Sequence, residues 1–411
     1  MVLYEMKREF LTSIPPDKAL EIIESFQVTQ GREIIHIEAA LDRVLAEDIV
    51  SGEDIPSFSR SLVDGYAVKV KDTQGAKETN PSLLFVNGEV RVGEESTVAV
   101  EDGKSISITT GAMLPENANG IIMEEHARRL HDEIEITRPV FRGENICFKG
   151  EDIKKGERLK VRGERLSPFD LGVCAALGIS KIPVYKRPKI AIISSGDEIV
   201  DIDESPPAGT VRDINRYTVA NLLKKEGAQC DFLGTAKDTI HDITAKLEAA
   251  REYEMILVSG GSSKGERDFI VDAIEKLGGK ILFHGVNIKP GKPVIFGVLW
   301  DKPVFGLPGH PVSCIMVVIR FVLPLLMKLK GELQTGTRNI KGKLATNVPS
   351  SYGIEEYIRV TIKSTDEGYA ISPLFAKSSV ISSLAQAAGY IVVPEGLEGY
   401  EKGEEVEVHP F

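Results

Sequence analysis

Lys189-Ile190-Ala191-Ile192-Ile193-Ser194-Ser195-Gly196-Asp197-Glu198 runs from unbroken apolar residues straight into small residues and carboxylates. A short apolar run bounded by turn residues reads as a strand buried on both faces. Strand-like runs and helical patterns then alternate: Thr218–Lys225, Ile240–Ala250, Met255–Val258, Ile270–Leu277 and Ile281–Phe283. Alternation of this kind predicts crossover units, hence a parallel sheet with helices on both faces, over residues 186–330.

The flanks differ. Ser13 to Phe26 reads as a helix, with Pro15 and Pro16 suited to its first turn. From about Glu33 to Lys160, short β-type runs (Tyr66–Val70, Leu83–Val86, Ser105–Thr109, Ile134–Thr137) alternate with Gly, Pro and Asn turns, which predicts a mostly β module. Beyond Gly331 short strands return, with a helix near Ser378–Ala388 and a last strand at Glu404–Val408. At 411 residues the chain exceeds one hydrophobic core, since domains run to about 100–200 residues.

The net charge of −11 and the lack of a basic stripe with aromatics argue against nucleic-acid binding. Cys147, Cys174, Cys230 and Cys314 form no C-x-x-C pair, and the seven histidines form no H-E-x-x-H. That cysteine usage, with no apolar segment near Met1, predicts a reduced, cytoplasmic setting. The most apolar stretch, Cys314 to Met327, is interrupted by Arg320 and Pro324. It reads as a buried core helix too short for a bilayer, so no membrane is expected.

In an open α/β sheet, ligands sit outside the carboxyl ends of the strands. Three such loops have unusual composition. Ser194–Glu198 joins small residues to carboxylates, although a helix cap with an acidic first turn has the same look. Gly260-Gly261-Ser262-Ser263-Lys264-Gly265-Glu266-Arg267-Asp268 frees backbone N–H groups to face an anion, as a flexible linker also does, and matches neither a Walker A loop nor G-x-G-x-x-G. Gly306-Leu307-Pro308-Gly309-His310-Pro311-Val312-Ser313 places Pro311 at the first turn of an apolar helix whose exposed N-terminus suits an anion, or makes a stiff turn only. Between them, Lys289-Pro290-Gly291-Lys292-Pro293 sets two lysines on a stiffened backbone, where a solvated turn is the bland alternative. Converging, these loops would set an anion cradle and two lysines beside Glu198, Asp238 and Asp268. That combination suits a phosphorylated or nucleotide-linked ligand with Mg²⁺.

Further segments carry a family resemblance. Pro56-Ser57-Phe58-Ser59-Arg60-Ser61-Leu62-Val63-Asp64-Gly65-Tyr66-Ala67 is similar to the P-x-F-x-x-S-x-x-D-G-Y-A signature of the MoeA-type molybdopterin molybdenumtransferases, which include gephyrin E-type domains. Thr109-Thr110-Gly111-Ala112 with Pro115, and Gly150-Glu151-Asp152-Ile153, resemble two more of that family's segments, and the α/β loops follow in order. The resemblance covers nearly the whole chain.

It implies an α/β multidomain protein in four parts. These are an elongated linking and dimerisation region (1–48 with 140–185), an inserted mostly-β domain (49–139), a molybdopterin-binding α/β domain (186–330) and a C-terminal small β barrel (331–411). It also implies a homodimer with a shared cleft, a cytoplasmic setting, and the molybdopterin adenylyltransferase as a candidate partner. The implied substrate is adenylylated molybdopterin. Molybdate or tungstate would be inserted, with Mg²⁺-dependent release of AMP.

Carried over by position, Asp64, Glu198, Asp238 and Asp268 would be catalytic, the last three holding the metal. Thr110, Ser195, Gly260, Gly261, Ser262, Ser263, Lys289, Gly291, Lys292, Pro308, Pro311, Ser313, Arg359 and Ser378 would contact substrate, Arg359 and Ser378 across the dimer. Cys147, Gly285, Lys264 and His310 depart from the family pattern. They suggest altered oxyanion handling, such as tungstate over molybdate. Two rival readings are a non-catalytic molybdopterin-binding scaffold and a molybdopterin adenylyltransferase. The retained carboxylates argue against the first, and the β domain with its Asp64 signature against the second.

Overall fold

The computed structural model describes residues 13–260, 268–333 and 339–411. They form two compact units. One is built from Ile34–Leu41 and Leu45–Pro183. The other holds the described residues of Val184–Phe411, Asp42–Val44 and those from 13 up to Glu33.

The first helix, α1 (Pro16–Ser25), starts with proline, whose missing N–H removes only a donor that the first turn leaves free anyway. Its apolar face buries Ala19 and Ile23 in the core of the Val184–Phe411 unit. Backbone bonds from Ile14 N to the Gly285 carbonyl (3.1 Å) and from Asn287 N to the Ile14 carbonyl (2.9 Å) anchor the preceding chain there. Ile14 and helix α1, in the stretch assigned from sequence to the linking region, thus pack with the α/β core.

The 45–183 part carries a sheet of β1 (Gly65–Val68), β2 (Ser82–Val90), β3 (Lys104–Ile108), β4 (Gly120–Met123), β5 (Ala127–Leu130) and β6 (Glu133–Ile136), in the order β4-β1-β3-β2-β6-β5. Both faces are covered. Tyr66 and Val68 join one cluster with Leu84, Ile134 and Ile136, while Ala67 joins another with Ile106, Ile108 and Ile121. Successive strand residues point to opposite faces, so β1 is buried throughout. Helix α2 (Pro168–Ala176) begins in a capping box, in which the Ser167 hydroxyl accepts from Asp170 N and the Asp170 carboxylate accepts from Ser167 N.

The other unit carries β7 (Lys189–Ser195), α3 (Asn215–Lys225), β8 (Gln229–Ala236), α4 (Ile240–Ala249), β9 (Met255–Ser259), α5 (Phe269–Lys276), β10 (Lys280–His284), β11 (Ile288–Lys289), β12 (Ile295–Leu299) and β13 (Lys302–Leu307). The sheet order is β8-β7-β9-β13-β12-β10. Ile190, Ile192, Met255 and Leu257 face one side with Val219 and Leu223 of α3. Ala191, Ile193, Ile256 and Val258 face the other with Ile243 and Leu247 of α4 and Ile270 and Ile274 of α5. The sheet is not wholly parallel, because β12 runs antiparallel to both neighbours. Trp300 and Asp301 between β12 and β13 both have positive φ (53° and 60°), as a tight two-residue hairpin requires, and a hairpin reverses the chain.

Helix α6 (Pro311–Leu329) is 19 residues long, and by length and composition it could cross a membrane, contrary to the length read from sequence. The helix continues through Arg320 and Pro324, with a π-helical turn at Val318–Val322 ahead of the proline, which cannot donate to its preceding turn. Its most apolar window is 67% buried inside this unit, and Arg320 leaves the core to pair with Glu355 (3.0 Å) and Asp17 (2.9 Å).

The remainder forms β14 (Ile340–Leu344), β15 (Glu355–Thr365), β16 (Gly368–Pro373), α7 (Ser382–Gln386), β17 (Gly389–Val393) and β18 (Glu405–Pro410). They pair in the order β15-β16-β14-β18-β17, and β17 pairs back to β15 to close a small barrel around Val360, Ile371, Ile391 and Val408. Strand β11 adds to its edge in parallel, with Lys289 opposite Glu356.

Candidate functional site

A cavity of about 530 Å³ opens at the carboxyl ends of β7, β9 and β13. Ser194 is in register with Ser259, and Ser259 with Leu307, so the three following loops leave the sheet at one level. Of the residues singled out from sequence, Ser195, Glu198, Gly260, Pro308, Pro311 and Ser313 line this space. Gly260 has φ +98°, and a Cβ there would sit 2.0 Å from the Ser195 carbonyl oxygen. Only glycine lets the two loops approach this closely. Gly261, Ser262 and Ser263, with the departure at Lys264, lie outside the described residues.

Pro311 takes the first helical position of α6, as expected. The N-terminus of that helix is less open than the sequence suggested. Val312 N donates to the Ser378 carbonyl (3.1 Å), and the Ser378 hydroxyl lies 3.2 Å from His310 Nδ1. Ser378 therefore meets this chain's own helix. Arg359 lies behind it, 6% exposed, donating to Ser383 Oγ (2.9 Å) and the Ala376 carbonyl (2.5 Å). Within this chain it holds the segment that presents Ser378. Burial disfavours its charged form and lowers its pKa.

The three carboxylates assigned to a metal do not gather into one ligand group: among the described residues, no cluster of three or more His, Cys, Asp or Glu side chains is placed for an ion. Each has its own engagement. Glu198 is exposed on the cavity wall. Asp238 accepts the Ser195 hydroxyl at 2.8 Å. Asp268 caps α5, its Oδ1 accepting from Ile270 N (3.1 Å) and Val271 N (3.4 Å), while Oδ2 faces His284 Nε2 at 3.4 Å.

The lysine turn also departs from expectation. Lys289 is paired with Glu356 at 2.9 Å, and Glu356 also accepts the Ser350 hydroxyl. Its charge is already matched, because the barrel strand beside β11 supplies a carboxylate that no local pattern shows. Lys292 is exposed, its neighbour Pro293 lines the cavity, and Gly291 packs with φ +125° against Val317 and Ile288.

In the other unit, Asp64 Oδ1 accepts both Thr110 N (2.6 Å) and Thr110 Oγ1 (3.0 Å). The backbone bond first, and the hydroxyl next, lower the Asp64 pKa. Cys147 sits in a two-residue strand opposite Arg60.

Sequence reading missed Asp213 and Asn215, both on the cavity wall. The Ser194 hydroxyl donates to Asp213 Oδ2 (2.5 Å), whose Oδ1 accepts Arg216 N (3.0 Å). The Asn215 amide donates to the Gly309 carbonyl (2.9 Å). The signal was present, since Asp213 and Asn215 flank the start of α3, where such side chains satisfy free N–H groups.

Three family models match in order: the MoeA N-terminal region (domain I and II) over residues 14–178, a probable molybdopterin binding domain over 191–328, and the MoeA C-terminal region (domain IV) over 341–411. A putative molybdopterin biosynthesis protein of Methanocaldococcus jannaschii is 35% identical, over 99% of this chain and 96% of that relative. The chain belongs to the MoeA family. The molybdopterin molybdenumtransferase of Haemophilus influenzae is 32% identical over 95% of this chain and 96% of its own length. A crystal structure of a MoeA protein from Pyrococcus horikoshii OT3 superposes with a TM-score of 0.85 at 34% identity, covering 97% of this chain and all (100%) of that one. The residues that line the cavity lie in the stretch matched by the molybdopterin-binding model, apart from Ser379 in the stretch matched by the C-terminal model.

Proposed function

We propose that this chain is a molybdopterin molybdenumtransferase that binds adenylylated molybdopterin, takes up molybdate and releases AMP. The observation that carries this reading is the cavity at the carboxyl ends of β7, β9 and β13. All of its lining but Ser379 falls within the region matched by the molybdopterin-binding model, in a chain that a molybdenumtransferase matches over 95% of its length.

The Ser313 hydroxyl serves as a donor to the anionic parts of the substrate, Ser195 and Gly260 hold the two adjoining loops close together beside it, and Pro308 and Pro311 hold the loop that shapes the cavity. Lys292, Ser378 and Arg359 supply or position donors for the oxyanion, and Lys289 joins them where substrate displaces Glu356. Asp64 acts as a carboxylate held by Thr110.

The donor set fits Mg²⁺ in its sparing form, one or two carboxylates with phosphate oxygens completing the shell. Glu198 and Asp238 are the residues to hold it, since Asp268 is engaged as a helix cap. Bound there, the ion would offset negative charge on the phosphoanhydride. The protein works as a cytoplasmic homodimer, and the adenylyltransferase that makes its substrate is the partner to test first.

The deciding experiment is a single-turnover assay with adenylylated molybdopterin, Mg²⁺ and molybdate or tungstate, following AMP. Oxyanion-dependent AMP release, lost in Asp64→Ala and Glu198→Ala, supports the reading and ranks the two metals. Tight binding without AMP release under either oxyanion makes the chain a binding scaffold instead.

A further inference from the structure

Asn215 stands out on the cavity wall. It is 8% exposed, yet among the described residues its Oδ1 has no hydrogen-bond partner. Its Nδ2 is engaged by the Gly309 carbonyl at 2.9 Å, which orients the amide and leaves the oxygen as an acceptor. A buried polar atom without a partner is rare in folded proteins. Asp213, also on this wall, has a buried carboxylate, 5% exposed, with no cationic side chain among its hydrogen-bond partners in the described residues. Asp213 and Asn215 thus line a space the size of a small-molecule site, with the unused Asn215 oxygen just beneath its surface, so that a ligand edge reaches it through a small shift of the wall.

An acceptor of this kind calls for a ligand with N–H donors. We propose that Asn215 Oδ1, supported by the Asp213 carboxylate, recognises the donor edge of a 2-amino-4-oxo-pteridine, where the amino group and the ring N–H stand side by side. The assignment rests on the molybdopterin reading of the cavity and adds the contact that orients the heterocycle. An adenine edge is a poorer match, because its amino group stands beside a ring acceptor. Asn215 is then a specificity residue that favours pterin over the same ring system with a carbonyl at position 2, which would face Oδ1 acceptor to acceptor.

The test uses the intact protein and three fluorescent or absorbing probes: pterin, its 2-oxo counterpart lumazine, and AMP. Dissociation constants are measured for wild type, Asn215→Leu and Asn215→Asp. The wild type is expected to prefer pterin over lumazine by roughly tenfold or more, the usual scale for leaving one buried acceptor unmatched. Asn215→Leu should lose that preference with AMP binding unchanged. Asn215→Asp, which keeps an acceptor but not the donor to Gly309, should retain it. Equal affinity of the wild type for pterin and lumazine overturns the proposal, as does undetectable pterin binding. A parallel loss for all three probes in both variants also overturns it, because Asn215 then only holds Gly309. Discrimination that persists in a protein unable to release AMP would remove the transferase reading and leave this contact standing.

Discussion

The Ser195 hydroxyl donates to Asp238 Oδ1 at 2.8 Å, tying the loop after β7 to the loop after β8. These loops follow neighbouring parallel strands, and Ser195 is itself in register with Ala236. One candidate metal ligand is therefore aimed by a substrate-side serine. Removing the hydroxyl in Ser195→Ala is expected to lower AMP release by about tenfold to a hundredfold through misplacement of Asp238, while global stability falls by only about 1 kcal/mol. Single-turnover rates beside urea unfolding curves check this. A rate loss fully explained by unfolding would rule out the positioning role.

Asp64 should remain a carboxylate at acid pH. Its folded pKa is depressed by Thr110, below the ordinary value of about 3.9. A depressed carboxylate contributes stability that is present above the unfolded value and lost as pH falls through the folded one. Thr110→Val removes the hydroxyl bond and keeps the backbone bond, so the pKa should move only part of the way back. Carbon-detected NMR titration of Asp64 in both proteins reads this directly. An Asp64 that titrates identically in the two would show that the hydroxyl does nothing.

Arg359 is a buried guanidinium that braces the segment carrying Ser378. Truncation in Arg359→Ala leaves the Ala376 carbonyl and the Ser383 hydroxyl without this donor and is expected to destabilise the unit by about 2–4 kcal/mol. Lysine lacks the second prong and should restore only part of the loss. Thermal and urea melts of the three proteins give the answer, and unchanged melts for the alanine variant would contradict it.

His310 and Ser378 should be energetically coupled, since their side chains meet at 3.2 Å beside the N-terminus of α6. A double-mutant cycle of His310→Ala and Ser378→Ala is expected to show about 0.5–1.5 kcal/mol of non-additivity in stability or oxyanion binding. Strict additivity in both would mean that the contact carries no energy.

Gly260→Ala should harm both folding and binding. The added carbon would sit 2.0 Å from the Ser195 oxygen, at a backbone angle alanine rarely adopts. A loss of more than about 2 kcal/mol and weakened substrate binding are expected. A variant with wild-type melting and affinity would show that these two loops can move apart.

Much was legible without coordinates, because it is written in local pattern. The alternation of β7, α4, β9 and α5 announced crossover units, and Pro311 announced a helix start. The Asp64 signature pointed to the family. Six of the singled-out residues line one cavity because strand register brings their loops to one sheet edge. The antiparallel β12 escaped notice because Trp300-Asp301 is not one of the glycine-rich pairs that usually mark a tight hairpin.

By itself, then, the sequence determined the class of fold, the order of its parts and the loops that could carry chemistry, since periodicity and turn residues act over a few positions. Tertiary structure alone decided which partner each polar group has. Lys289 meets Glu356, Ser195 meets Asp238 and Val312 meets the Ser378 carbonyl, across separations of 67, 43 and 66 residues in the numbering. Only the fold left Asn215 Oδ1 without a partner among the described residues. Charge and hydrogen bonding act through space at a few ångströms, and no spacing along the chain encodes which distant residue will arrive there.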